Sequence, residues 1–293
     1  MDMISRVRSF NRTVTQRIGA LENGFLGRGR SMGASRVLFE IGTTGNEIRD
    51  LRTRLGLDSG YVSRLLRSLE REGLVRVARS PRDARARLLT LTAAGRRELA
   101  TLNRLSDRQA ASILEPLSRK QQESLEEAMG TVARLLVASS LSINVEDPSS
   151  PAARECLSLY YRELAERFRA GFDPAASISA TPRELTPPQG YFLIARLQDR
   201  PVGCAALKCH ADFGEIKRMW VDASTRGLGL GRRLLAFLES LARSQGLPIL
   251  RLETNESLKE AQALYRSSGY LEVPAFNREP YAHHWFEKRL AGS

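Results

Sequence analysis

Between Glu215 and Leu235 the chain reads as a β-strand, a glycine-rich turn and the first turn of an amphipathic helix. The turn is Arg226-x-x-Gly229-x-Gly231. With no side chains in the way, its backbone N–H groups converge on an anion, and the helix N-terminus adds partial positive charge. A cofactor that carries a diphosphate is the natural guest. The turn lacks the spacing of Gly-x-Gly-x-x-Gly and the Lys-Ser/Thr pair of a Walker loop. The alternative reading is a strand–helix connection that uses its glycines only to turn tightly.

A chain of 293 residues implies two domains. No apolar run is long enough to span a bilayer, and the start Met-Asp-Met-Ile-Ser-Arg lacks the apolar core of a signal peptide. A cytoplasmic protein with no membrane partner is expected. Cys156, Cys204 and Cys209 are odd in number and form no Cys-x-x-Cys, which argues against a disulfide framework or a zinc site. Cys204 and Cys209, five apart on one strand, read as small apolar fillers on opposite faces. Of the net charge of +12, residues 1–147 carry +8, nearly all of it arginine. Guanidinium forks match phosphates, so a nucleic-acid partner fits; a plain solvated surface is the alternative.

From Pro151 the order is mixed α/β. A helix is expected from Pro151 to Phe172, and a hairpin joins Tyr191–Leu197 to Pro201–Leu207 through Asp199-Arg200. A third strand covers Glu215–Val221 and the helix after the turn covers Gly229–Ser244. A strand over Pro248–Glu253, a helix over Leu258–Ser268 and a last strand over Ala282–Leu290 follow. With the Arg226 turn, Leu252-Glu253-Thr254-Asn255 and Ala261-x-x-Leu264-Tyr265-x-x-x-Gly269-Tyr270 resemble the GNAT acetyltransferases.

The resemblance implies acetyl-CoA as cofactor, an amine as acceptor, and coenzyme contacts at Met219, Trp220, Val221, Arg226, Gly227, Leu228, Gly229, Leu230, Gly231, Arg232, Asn255 and Tyr265. Backbone N–H groups of Met219–Val221 would face the thioester oxygen as an oxyanion hole. Asn255 would contact the cofactor or fix the following helix. Tyr265 matches the position whose hydroxyl protonates the departing thiolate; a core aromatic is the other reading. Glu215, eleven residues before Arg226, has the spacing of the family's catalytic glutamate, with a raised pKa expected of a base at neutral pH. Holding Lys217 or Arg218 is its alternative role. His210, His283 and His284 are further candidate bases, and they have no metal-ligand spacing.

In the first half, apolar residues Ile4, Val7, Phe10, Val14 and Ile18 mark a helix, and a second runs from Ser35 to Ile41. Glu47–Leu55, the turn Gly56-Leu57-Asp58, and a helix that Ser59 can cap and Gly73 stops form a helix-turn-helix. Val62, Leu65, Leu66 and Leu69 face its core, and Ser59, Tyr61, Ser63, Arg64 and Arg67 remain for a DNA groove and its phosphates. Two strands, Leu74–Ala78 and Leu88–Thr92, flank an arginine-dense turn. Gly73-Leu74-Val75, Asp83-x-Arg85 and Leu91-Thr92-x-x-Gly95 resemble the MarR regulators.

That resemblance makes the turn a wing whose Arg85 enters the minor groove and whose tip Asp83 orients, with Arg82 and Arg87 beside it. Helices over Ala93–Leu105 and Pro116–Ser139, together with the first, would form a homodimer on a roughly palindromic operator. Ser142–Pro151 reads as a linker. The expected organisation is a mainly-α winged helix-turn-helix over residues 1–144 and a mixed α/β acyltransferase fold over 145–293. The reading is a transcriptional regulator joined to an N-acetyltransferase; the alternative is a regulator whose second domain senses acetyl-CoA or a ligand with little turnover.

Overall fold

In a computed structural model, which describes residues 2–21, 24–43, 45–79, 87–169 and 171–290, the chain divides into two compact units, Met1–Met129 and Gly130–Ser293. The division falls earlier than the expected 144/145 boundary. Residues 141–145 form an edge strand of the second unit's sheet, so the first four residues of the expected linker belong to that sheet.

The first unit runs α1 (Met3–Arg17), α2 (Met32–Ile41), β1 (Asn46–Glu47), α3 (Ile48–Leu55), α4 (Ser59–Arg71), β2 (Val75–Arg79), β3 (Arg87–Leu91) and α5 (Ala93–Leu114). A further helix, α6 (Arg119–Ser139), continues past the division. The antiparallel sheet has the order β1-β3-β2. On α4, Val62, Leu65, Leu66 and Leu69 recur at helical spacing and are buried against α2, with Leu51 and Leu89. Asp58, not Ser59, caps α4: its carboxylate accepts from Tyr61 N at 2.8 Å, satisfying one of the helix's orphan donors for about 1 kcal/mol. Thr92 caps α5 through Gly95 N, and a Cβ at Gly95 would lie 2.0 Å from the Leu74 carbonyl. Only glycine lets α5 meet the strand there, which accounts physically for the Leu91-Thr92-x-x-Gly95 pattern.

The second unit runs β4 (Leu141–Val145), α7 (Pro151–Arg167), β5 (Gly190–Leu197), β6 (Arg200–Cys209), β7 (Gly214–Val221), α8 (Leu230–Ser244), β8 (Ile249–Thr254), α9 (Lys259–Ser267), β9 (Leu271–Val273) and β10 (His284–Arg289). Its seven-stranded sheet has the order β4-β5-β6-β7-β8-β10-β9, antiparallel except for the β7–β8 pair. The hairpin turn is Gln198-Asp199, one residue earlier than the expected Asp199-Arg200, and both residues have positive φ, as a two-residue turn demands; Arg200 opens β6.

Side chains alternate between two cores. Leu193, Ala195, Ala205 and Leu207 pack with α8, while Phe192, Ile194, Cys204 and Ala206 pack with α7. Both faces of β5 and β6 are covered, so these strands read as unbroken apolar runs. Cys204 and Cys209 do lie toward different cores. Helix α7 stops at Arg167 rather than Phe172, where Phe168 leaves the helical conformation for an extended one (ψ 131°).

Candidate functional site

β7 and β8 pair only at Gly214↔Leu250 and Glu215↔Arg251. Beyond Glu215 the two parallel strands diverge, and the gap between them is the site. On its other edge β7 is bulged. Its ladder with β6 steps from Ala206↔Lys217 to Cys204↔Trp220, so Arg218 and Met219 stand opposite Ala205 alone. Arg218 takes a left-handed φ of 53°, costly for a side-chain-bearing residue. The bulge thus takes backbone out of the ladder at the mouth of the gap.

Two cavities meet there. The larger, about 490 Å³, is lined by Met219, Trp220, Val221, Arg226, Gly227, Gly229, Leu230, Gly231, Arg232 and Tyr265, together with α7 residues including Glu163 and Arg167. The smaller, about 120 Å³, is lined by Tyr160, Tyr161, Phe168, Phe172 and Tyr281, and by Lys217, Arg218, Glu253 and Asn255. Tyr160, Leu164, Met219, Leu258, Ala261 and Tyr265 border both.

Gly227 (φ 80°) and Gly229 (φ 76°) turn the chain into α8, whose first N–H groups have no side-chain cap among the described residues. A Cβ at either glycine would meet no protein atom within 4 Å, so neither is needed for packing. The exposed donors, the helix dipole and the adjoining cavity fit a diphosphate and its pantetheine arm. Leu228 departs from the expected contact set: it packs against the core and is not among the cavity-lining residues.

Arg226 is held by α7. Its Nη2 lies 2.6 Å from both oxygens of Glu163, and its Nε donates to the Val221 carbonyl. Trp220 Nε1 donates to the same carboxylate at 2.9 Å. Burial pushes the Glu163 pKa up, but Arg226, Trp220 and Arg167 overcome it, and the net shift is downward. Asn255 fixes the turn after β8: it donates to the Tyr281 carbonyl and accepts from Ser257 N, and it lines only the smaller cavity. Tyr265 is buried with its hydroxyl 3.8 Å from Met219 Sδ. Burial and the nearby Glu253 raise its pKa, so it holds its proton.

Glu215 does not have the raised pKa expected of a base. Burial pushes it up, but Lys217, 3.0 Å away, and His210, 3.1 Å away, pull it below the ordinary carboxylate value. It is also not among the residues lining either cavity. Glu253 fits the description instead. It lines the smaller cavity, and burial outweighs its contacts with Lys217 and Asn277 to raise its pKa. Its signal in the sequence is slight: one carboxylate in an apolar strand, two residues before Asn255. His210 sits behind Glu215, His283 meets Asn255, and His284 is paired with Glu272. Among the described residues no group of His, Cys, Asp and Glu could hold a metal, and no helix is long and apolar enough to cross a membrane.

In the first unit, Ser59, Ser63, Arg64 and Arg67 are exposed on the face of α4 opposite its buried leucines. Tyr61 is half-buried: its ring packs on the core beside Gly33, and the Arg64 guanidinium lies 5.8 Å over it. Arg87 opens β3, exposed, paired with Arg79. Arg82, Asp83 and Arg85 lie outside the described residues. An ion cluster the sequence did not reveal, centred on the buried Glu98, braces the unit: Arg28 grips Glu98 with two hydrogen bonds, and Arg30 joins Glu98 to Glu72.

The sequence profile of the acetyltransferase (GNAT) family matches residues 157–270, and that of the MarR family matches residues 28–86. An IAA acetyltransferase of Azospirillum brasilense is 40% identical over 99 residues, 33% of this chain. The match spans 63% of that relative, less than two thirds of its length. An aminoalkylphosphonate N-acetyltransferase of Salmonella typhimurium is 31% identical over 131 residues, 43% of this chain and 79% of the relative. Among solved structures, the PcaV transcriptional regulator of Streptomyces coelicolor in complex with its natural ligand is 26% identical, covering 45% of this chain and 95% of that chain with a TM-score of 0.39.

Proposed function

We propose, for a chain that belongs to the GNAT acetyltransferase family and carries a MarR-family domain, that the second unit transfers acetyl from acetyl-CoA to an amine and the first binds a roughly palindromic operator as a homodimer. The observation that carries the transferase reading is the divergence of β7 and β8 after Glu215. It brings the glycine turn, the β7 bulge, Glu253 and the Tyr265 hydroxyl to one cleft.

Acetyl-CoA, when bound, supplies an acyl thioester. The α8 N-terminus and the Gly227–Gly231 backbone take the diphosphate, and Arg226 and Arg232 flank it. Backbone N–H groups at the bulge, from Met219 to Val221, face the acyl oxygen where charge develops. Glu253 accepts a proton from the acceptor ammonium and frees the amine lone pair. The Tyr265 hydroxyl holds the proton that the leaving sulfur needs. Glu215 acts through Lys217 as a positioning residue, holding the ammonium that sets the orientation of Glu253.

For the first unit, the exposed Ser59, Ser63, Arg64 and Arg67 support major-groove and phosphate contact by α4, with Arg87 and the wing residues Arg82, Asp83 and Arg85 at the flank. The homodimer rests on α1, where Ile4, Val7, Phe10 and Val14 form one apolar stripe that stays exposed by 36% to 74%. Apolar residues at helical spacing and in contact with water mark an interface.

Thiol release from acetyl-CoA by the full chain, measured with an amine panel and with a Tyr265→Phe variant, tests the enzyme. Amine-dependent release that the variant loses is expected. Operator binding that shifts with acetyl-CoA, without any thiol release, would instead make the second unit a sensor.

A further inference from the structure

The smaller cavity has more character than an acceptor site needs merely to admit an amine. Five rings from α7, the segment after it and the β9–β10 connection form a continuous wall. Tyr160 and Tyr161 are 5.4 Å apart, Tyr161 stacks on Phe172 at 5.7 Å, Phe172 lies 4.8 Å from Tyr281, and Phe168 meets both Phe172 and Tyr281 within 6 Å. All five line the cavity. Its volume of about 120 Å³ is close to the ~150 Å³ of an apolar cavity that admits a benzene ring.

Charge narrows the guest further. Lys217 is shared between Glu215 and Glu253, and Glu279 spends its oxygens on Ser177, Ile178 N and Tyr281 N. Arg218 donates to two neutral partners, Ser179 Oγ and the Ala180 carbonyl. Among the charged residues that line the cavity, Glu253 and Glu279 face Lys217 and Arg218. Glu279 is spent on protein donors, which leaves Glu253 as the one lining carboxylate placed to meet an ammonium. A polyamine or a basic peptide brings more cations than that one carboxylate can meet.

We infer that the acceptor is a small arylalkylamine: one primary ammonium on a short chain, its aromatic body seated against Phe172 and Tyr281 and its nitrogen directed past Glu253 toward the Tyr265 hydroxyl. This rests on the acetyltransferase reading and adds the substrate class. Ring–ring contact and cation–π attraction hold the guest, and Glu253 takes the ammonium proton. The C–N bond forms as the C–S bond breaks. The nitrogen loses two protons in all, one to Glu253 and one that offsets the proton Tyr265 gives to sulfur.

The test is a competition on the full chain with acetyl-CoA. The acceptors are 2-phenylethylamine, phenylalanine, spermidine and a lysine-bearing peptide, read both by thiol release and by calorimetric binding in the presence of coenzyme A. The expected result is that 2-phenylethylamine has the highest kcat/KM and binds at least tenfold tighter than the others. Phe172→Ala should then raise its KM on the order of tenfold and leave the KM for acetyl-CoA unchanged; Phe172→Leu should restore part of the loss. Preference for phenylalanine, spermidine or the peptide overturns the inference while leaving the transferase reading intact. Failure to bind acetyl-CoA at all refutes that reading instead. If acetyl-CoA binds without turnover, calorimetry alone decides: 2-phenylethylamine binding that Phe172→Ala weakens sustains the inference, and its absence overturns it.

Discussion

The Tyr265 hydroxyl faces Met219 Sδ across the cleft at 3.8 Å, a weak partner for a buried phenol. A sulfur from the bulged strand therefore stands beside the one proton donor that α9 places in the gap. Because the native contact is weak, Tyr265→Phe should cost little stability. It should lower kcat by about 10²- to 10⁴-fold with the KM for acetyl-CoA nearly unchanged, the range of a lost general acid. Steady-state kinetics with a thermal melt check both halves; a kcat within twofold of wild type removes Tyr265 from the chemistry.

Glu253 and Glu215 separate in a pH profile. The Glu253 pKa is raised, so kcat/KM should climb as pH rises through that value, and Glu253→Gln should abolish this acid limb along with most activity. Glu215→Gln leaves Lys217 its contact with Glu253. It should keep the limb, shifted, and lose about tenfold or less, on the scale of a positioning hydrogen bond. Equal loss from both, with the limb gone in each, would assign the base to the pair rather than to Glu253.

Much of this architecture was legible in the residues. The glycine turn, the β5–β6 hairpin and the leucine spacing of α4 each rest on local rules, and each formed where its pattern lies, the hairpin's turn one residue early. What failed did so through partners distant in sequence. Ser142–Val145 looks like linker because its ladder partner, Leu193–Arg196, lies about fifty residues on. Ser59 looks like a cap, yet the neighbouring Asp58 takes the role. Glu253 is inconspicuous because the burial that raises its pKa comes from tertiary packing, against the pull of Lys217 thirty-six residues away, and its access depends on where β7 and β8 part. The aromatic wall draws on residues from 160 to 281, and no window of sequence shows them together.

Glu98 should govern the acid stability of the first unit. Arg28 and Arg30 hold its pKa below the ordinary carboxylate value of about 4.5. A lowered folded pKa means that this stabilisation is complete above the unfolded value and is lost as pH falls through the folded one. Glu98→Gln should lower the first unit's unfolding free energy by about 1–3 kcal/mol near neutral pH and flatten its dependence below pH 4.5. Calorimetry from pH 3 to 7 checks it, and equal loss at all pH values would contradict the ion-cluster account.

On DNA, Arg64→Ala and Arg67→Ala should each weaken binding across sequences and reduce the slope of log affinity against log salt by about 1, as for lost phosphate contacts. Arg85→Ala should relax preference at the flanking minor groove. Electrophoretic shifts at several salt concentrations measure both, and an unchanged slope would exclude α4 as the phosphate-binding helix.

Phe10→Asp places a charge in the exposed apolar stripe of α1. It should convert a dimer to a monomer in analytical ultracentrifugation and lower operator affinity with it. A wild-type monomer at micromolar concentration would rule out the dimer.

The most direct test of the account is isothermal titration of the full chain with acetyl-CoA, without DNA and then with an operator duplex. One site per chain is expected, with a dissociation constant on the order of micromolar, in the range of enzyme substrates. No heat up to millimolar cofactor would mean that the Gly227–Gly231 turn only joins a strand to a helix, and the cleft between β7 and β8 would then not be an acetyl-CoA site.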